Sequence, residues 1–427
     1  MKFRITPSRL FLALSGALAA VSVVGSWIGN HYLNVPVSEV LSANAVEGCN
    51  RATAEGIGHH CFLDYYDGAI TNVYPPVARW VFQPFLVLER ISGSAQLGLY
   101  VWLTICSIAL LTPVWWATRY EFKLRWPLIV LTVSSSAFAG PLDRGNSVAL
   151  TVPLLLLFSI GVLRNMSCAT TVGFVGAAIV KPQFALLLLV PLVLRRWKPL
   201  GLSALLLVVA QVLGFVVGKG DSISQMRQFL EVNLSRSTEA MVYDTSNISF
   251  SQTIHEVFRL SGRFLGVESR LTDFEQQYRF ELSLVVLVAI VVSMAIHARR
   301  GNIALVTISG LLISSTWVGM SYYYYQSFAV VVAALLLRDP RKPATRCGVM
   351  DERPGVPLRL SALLIVVATS NSMFNLPIDA SVFGWYLGDS ASVSEVTSVS
   401  RTLTTPLWLL ATGVSMFGWR RRSAAVA

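Results

Sequence analysis

Long apolar runs recur along the whole chain, each closed by a short polar or basic stretch. Twelve of them are candidate membrane spans. They lie at about 10–29, 95–117, 126–140, 147–163, 169–180, 183–194, 200–218, 280–297, 303–320, 326–337, 359–375 and 403–419. About 20 apolar residues in helical form cross the hydrocarbon core of a bilayer. The pattern therefore predicts an all-α polytopic membrane protein of about twelve transmembrane helices, with residues 1–427 as a single domain. The polar residues are unevenly shared. Three long segments, 30–94, 219–279 and 376–402, separate runs that otherwise follow closely on one another. Within the first, Val77 to Leu88 is apolar but short, which predicts a helix lying in the interface. Within the second, helical periodicity returns around Ile254 to Leu265 and again before Phe280.

Charge gives these helices a direction. The chain has a formal net charge of +11 but only 13% charged residues against 54% hydrophobic ones. A nucleic-acid binder would carry such an excess on the face of a soluble fold. Here Lys and Arg gather in alternate short loops: Arg119/Lys123/Arg125, Arg195/Arg196/Lys198, Arg299/Arg300, Arg338 to Arg359, and Arg420 to Arg422. Positive loops stay in the cytoplasm. Both termini are thus expected inside a plasma membrane, with 30–94 and 219–279 as large extracytoplasmic loops. Residues 169–194 could form one long helix, but that would place Arg195, Arg196 and Lys198 outside. Two shorter helices broken at Lys181-Pro182-Gln183 restore the alternation, and proline disfavours helix at the residue before it. Met1 to Arg9 followed by Leu10 to Trp27 has the outline of a signal peptide, yet no convincing small-x-small cleavage site follows and the apolar stretch is long enough to remain as a helix. It is read as a retained first span.

Short spans point to a site. At 11 or 12 residues, the runs after Lys181 and after Tyr325 reach about 17 Å as α-helix, against about 30 Å of hydrocarbon. Their outer ends should stop inside the membrane. Irregular backbone at that depth is tolerated where it lines a cavity or is buried in protein. LDRGNS (Leu142 to Ser147), KPQ (Lys181 to Gln183) and SYYYYQ (Ser321 to Gln326) are therefore expected to line one recessed cavity open to the outside. Arg144 and Lys181 are the cationic candidates there, since ionisable residues at membrane depth are functional candidates by default. Tyr74, Asn146, Gln183, Tyr322 and Tyr324 are candidate lining residues for a sugar or lipid.

Above the cavity lies the first outer segment, with Asp64 and Asp67 flanking Tyr65-Tyr66. A carboxylate over a basic, aromatic-lined cavity suits sugar transfer from a lipid phosphate. It can take the proton from an acceptor hydroxyl as that oxygen attacks the anomeric carbon. Arg or Lys can stabilise the departing phosphate. Cys49 and Cys61 share the same segment, and in an oxidising compartment they are expected to form a disulfide. A zinc site using them with His59 and His60 is disfavoured, because adjacent histidines rarely both reach one tetrahedral ion. No Asp-x-Asp pair marks a nucleotide-sugar metal site, and no cofactor is expected, a divalent metal being compatible with the sequence but not indicated by it.

The order of motifs resembles glycosyltransferase family 87, the C-type enzymes that include polyprenyl-phosphate-dependent mannosyl- and arabinofuranosyltransferases. The stations are Tyr74-Pro75-Pro76, Gly145-Asn146, Lys181-Pro182 with Arg195-Arg196-Trp197, Asn247-Ile248-Ser249, and Tyr322 to Tyr325. The resemblance covers about 50–340 and rests on their order and topology together. It implies an inverting transfer, with a polyprenyl-phosphate-linked sugar as donor and a glycan or glycolipid as acceptor. It also implies an acidic residue of the first outer loop as base. The family's acid usually lies well upstream of Tyr-Pro-Pro, a position that Glu39 fills here, so Glu39 joins Asp64 and Asp67 as a catalytic candidate. Some members carry histidine at the late polar turn, where this chain has tyrosines. Two other readings share parts of the pattern: an envelope-polymer ligase or polymerase, and a twelve-span transporter or flippase. A transporter usually shows internal repeats, and none is visible. The expected partners are donor, acceptor and membrane lipid, not nucleic acid.

Overall fold

A computed structural model describes residues 6–32, 77, 79–93, 95–143, 146–217, 224, 227, 249–316, 323–342, 347–351, 356–374 and 399–417. Among the described residues the chain is all-helical, with 15 α-helices, two 3-10 helices and no strand. In chain order the helices are α1 (Pro7–Tyr32), α2 (Arg79–Ser92), α3 (Ala95–Ala117), α4 (Phe122–Val133) and α5 (Ser136–Asp143). Next come α6 (Val148–Arg164), α7 (Ser167–Val180), a 3-10 helix (Pro182–Leu188), α8 (Leu189–Val193) and α9 (Trp197–Val217). The rest are α10 (Phe250–Leu265), α11 (Glu268–Arg299), α12 (Ile303–Thr316), a second 3-10 helix (Tyr323–Ser327), α13 (Phe328–Leu337), α14 (Val356–Met373) and α15 (Val399–Phe417).

Composition decides which helices are central. Along α13 every residue from Phe328 to Leu336 is buried, and α12 is buried almost throughout. A helix that is apolar all round has no solvent face, so it belongs in an interior. Around α13 pack α1, α3, α6 and α14. Beside it α6 and α7 form an antiparallel hairpin whose backbones touch. A Cβ at Gly161 would lie 2.4 Å from the Thr170 nitrogen, and one at Gly173 2.4 Å from the Phe158 nitrogen. The hairpin turns on Asn165 in the left-handed region (φ 58°), and the Met166 N–H donates to the Gly161 carbonyl at 2.8 Å.

The outer helices behave differently. Val208 and Val216 on α9 are 60% and 65% exposed, and Val285 on α11 is 65% exposed. Rows of exposed valine and leucine on long helices are not a water-facing surface. Among the described residues three helical stretches, Tyr100–Ala117 within α3, α9 and α11, are long and apolar enough to cross a membrane. The chain is accordingly a membrane protein.

In four places the helices differ from the apolar runs that announce them. The run at 126–140 is two helices. Ser135 donates to the Thr132 carbonyl at 2.6 Å and its Oγ accepts the Phe138 N–H at 3.3 Å, closing α4 and capping α5. The run at 280–297 is the end of a longer helix that starts at Glu268 and kinks at Tyr278 (φ −114°, ψ 19°). The runs at 183–194 and 326–337 both begin as 3-10 helix, which rises about 2.0 Å per residue. Each therefore reaches roughly 20–25 Å, more than the 17 Å expected of pure α-helix yet still short of a bilayer core.

Candidate active site

Three of the expected stations fall on helix ends that pack together. Lys181 is where α7 stops. Pro182 forces its predecessor into an extended conformation (φ −138°, ψ 110°) and then opens the 3-10 helix as its first residue. Lys181 is only 4% exposed, and its Nζ lies 5.8 Å from the centroid of the Tyr325 ring. Tyr325 belongs to the second 3-10 helix, which packs against α5 and the start of α6. Two residues past Lys181, the Gln183 side-chain amide donates to the Ser314 carbonyl at 3.3 Å, which ties the turn to the end of α12.

The polar layer continues from there. Asn146 is fully buried where α5 gives way to α6; its N–H donates to the Pro141 carbonyl at 2.7 Å and its Oδ1 accepts the Val148 N–H at 2.9 Å. The Gln326 and Asn371 amides both donate to Thr404 Oγ1, at 3.1 and 3.0 Å. Trp408 Nε1 donates to Ser372 Oγ at 3.0 Å. Among the described residues four buried groups in these turns, Asn146 Nδ2 and the hydroxyls of Ser147, Ser315 and Ser327, have no hydrogen-bond partner. A donor sealed in an apolar bundle costs about 1–3 kcal/mol when left unmade, so such groups are normally paired. Unpaired donors in adjoining turns beside a buried ammonium make a place where phosphate or sugar oxygens could bind.

A second buried charge network lies in the other long polar segment. Glu275 on α11 is fully buried and accepts Arg279 Nε at 2.6 Å and Nη2 at 3.1 Å, while His255 Nδ1 on α10 stands 2.9 Å from its Oε2. Nothing in the sequence reading singled out this network. The spacing of Glu275 and Arg279 was the available signal, since residues four apart meet on a helix face. Ser249, the last residue of the Asn-Ile-Ser station, caps the same unit: its Oγ accepts the Gln252 N–H at 3.3 Å.

The other candidates are placed unevenly. Asp64, Asp67, Glu39, Arg144, Tyr74, Tyr322, Cys49 and Cys61 lie outside the described residues, and of Tyr324 only the backbone is described. Just past the Tyr-Pro-Pro station, Val77 is 1% exposed and lies against Gly214 of α9, where a Cβ would stand 2.6 Å from the Val77 nitrogen. Among the described residues no group of three or more His, Cys, Asp or Glu side chains could hold a metal ion.

The model of glycosyltransferase family 87 matches residues 72–320, more than half of the chain. No curated protein and no solved structure is found to be similar to it.

Proposed function

Because the chain belongs to glycosyltransferase family 87, we propose that it transfers a pentose or hexose from a polyprenyl-phosphate donor to an envelope glycan or glycolipid. Transfer takes place on the extracytoplasmic face of the plasma membrane, in one domain whose two termini are cytoplasmic. The observation that carries the reading is the buried layer around Lys181: an ammonium, and four donors with no hydrogen-bond partner among the described residues, at helix ends enclosed by apolar helices. A nucleotide sugar has no need of a site walled by hydrocarbon. A donor with a polyprenyl tail does.

In this reading Lys181 and Arg144 hold the donor phosphate, and Asn146, Gln183, Tyr74, Tyr322 and Tyr324 line the sugar and the first isoprene units. One carboxylate of the first outer segment, Asp64 foremost with Asp67 and Glu39 as the other candidates, accepts the proton of the acceptor hydroxyl. That oxygen attacks the anomeric carbon from the face opposite the phosphate. The bond to the phosphate oxygen breaks with its electron pair, leaving polyprenyl phosphate and an inverted linkage. A Cys49–Cys61 disulfide would brace this segment.

The three carboxylates are separated by one comparison, Asp64→Asn, Asp67→Asn and Glu39→Gln, assayed as sugar transfer from the lipid-linked donor in membranes. Each swap keeps the shape and removes the proton acceptor. A positioned base contributes about 10²- to 10⁴-fold, so the swap at the true base should lower turnover by at least the smaller factor while donor binding is kept. Full activity in all three would refute the mechanism.

A further inference from the structure

At the end of the α6–α7 hairpin away from Lys181, four cations come together. Arg164 ends α6, Arg195 and Arg196 follow α8, and Lys198 is the second residue of α9. The Arg196 side chain donates to the Val162 carbonyl at 2.5 Å, which fastens the turn between α8 and α9 to the end of α6. Arg164, Arg195 and Lys198 are exposed. Among the described residues none of the four makes an ion pair. The chain itself has no Asp or Glu between Asp143 and Asp221.

Two of these cations stand where local physics disfavours them. Arg195 takes the left-handed conformation (φ 56°) in the turn that closes α8: its N–H donates to the Leu192 carbonyl at 3.0 Å and the Arg196 N–H to the Pro191 carbonyl at 2.8 Å. Glycine or asparagine normally fills that position, because a Cβ is strained there. The equivalent turn after α6 uses Asn165. Lys198 lies in the first turn of α9, by the positive end of the helix dipole, where an acid is favoured and a cation is not. Retention of a loop on one side of a membrane needs only the number of its Lys and Arg; it does not select an arginine for a left-handed turn. Strain kept in this way points to a function for the side chain, here a counter-charge outside the chain. The surroundings identify it. Met166, Leu192 and Trp197 are 45%, 43% and 65% exposed beside the cations, and the exposed apolar row of α9 begins one turn on with Leu202 and Leu205. Tryptophan with Lys and Arg at the end of an apolar helix is the pattern of a headgroup layer, and clustered cations there attract anionic lipid. We propose that this surface binds the phosphate headgroup of an anionic phospholipid through Arg164, Arg195 and Lys198, with Trp197 seated among the headgroups. The surface lies at the opposite end of α7 from the Lys181 layer and does not depend on the transferase reading.

The test is a lipid titration of the purified full chain in detergent, read by native mass spectrometry. Phosphatidylglycerol is compared with phosphatidylcholine of the same chains, and inorganic phosphate is added as competitor. The wild type should bind phosphatidylglycerol about 10-fold more tightly or better. Arg164→Gln/Arg195→Gln/Lys198→Gln, which alters three exposed side chains and so spares the fold, should lose that preference. Arg9→Gln/Lys123→Gln/Arg299→Gln removes the same charge from exposed positions elsewhere and should keep it. Arg195→Gly should weaken phosphatidylglycerol binding several-fold while Tm stays at or above that of the wild type, because glycine suits the left-handed turn. Equal binding of the two lipids by the wild type would overturn the proposal, as would a preference that survives in the first triple variant or is lost equally in the second. Unchanged lipid binding by Arg195→Gly, or a fall in its Tm, would overturn it by giving the arginine no role beyond the turn. Competition by inorganic phosphate at the lipid's own concentration would also overturn it, by showing a free-anion site.

Discussion

Lys181 owes its position to the residue that follows it. A lysine in the middle of an apolar helix would bend its long side chain toward water. Here Pro182 ends the helix at Val180 and leaves the lysine extended, 4% exposed, with its ammonium near the Tyr325 ring. In the proposed reading this buried ammonium makes a charge-assisted contact with the donor phosphate. Lys181→Ala is therefore expected to weaken use of the phosphate-bearing donor, not merely to loosen a surface. A lost charge-assisted contact is worth about 1.5–3 kcal/mol, which corresponds to roughly 10- to 100-fold in donor kcat/KM. Lys181→Arg should recover part of it, since the charge is retained on a side chain of different shape. Unchanged donor kinetics in the alanine variant would leave the lysine with a packing role only.

Among the elements, α9 carries a matched pair of glycines. At Gly214 a Cβ would stand 2.6 Å from the Val77 nitrogen, whereas at Gly201 nothing lies within 4 Å. Gly214→Val must displace the chain just past Tyr74-Pro75-Pro76, and overpacking of this kind typically costs about 1–3 kcal/mol. It should lower transfer at least 10-fold, while Gly201→Ala on the same helix leaves it unchanged. Equal activity in the two variants would show that the contact at Val77 does not position the outer segment. This contact could not be read from the sequence, because two glycines of one helix look alike until their neighbours are known. The hairpin of α6 and α7 was legible: continuous apolar runs separated by a short polar turn gave both helices to within a few residues. So was the break at Lys181, because proline acts locally. The 3-10 character of the next seven residues was not, since period and composition are the same for both helix types over so short a run. Nor was the split between α4 and α5, where serine hydroxyls take over backbone bonds in an otherwise apolar stretch. The buried Glu275 network joins residues far apart in sequence, and only the packing of α10 on α11 brings His255 to it.

For the molecule as a whole, the alternation of basic loops leads us to propose that 219–279 is extracytoplasmic and 338–359 cytoplasmic. Single cysteines at Ser222 and at Thr345, introduced after the native cysteines are replaced, should be labelled from opposite sides by an impermeant maleimide. Labelling of both from one side would overturn the arrangement of the large loops. Family membership and the apolar helices make the chain a membrane glycosyltransferase, and the open question at this scale is the donor. The layer around Lys181 joins an ammonium and buried polar groups to hydrocarbon walls, a combination that favours a sugar carried on a lipid phosphate. The direct measurement is transfer by the purified full chain in liposomes. It would be supplied in parallel with polyprenyl-phosphate pentoses and hexoses and with the corresponding nucleotide sugars. Released polyprenyl phosphate and the anomeric configuration of the new linkage would both be recorded. The account predicts turnover with a lipid-linked donor alone, one polyprenyl phosphate released per inverted linkage, and a 10- to 100-fold loss in Lys181→Ala. Turnover with nucleotide sugars and none with any lipid-linked donor would contradict it.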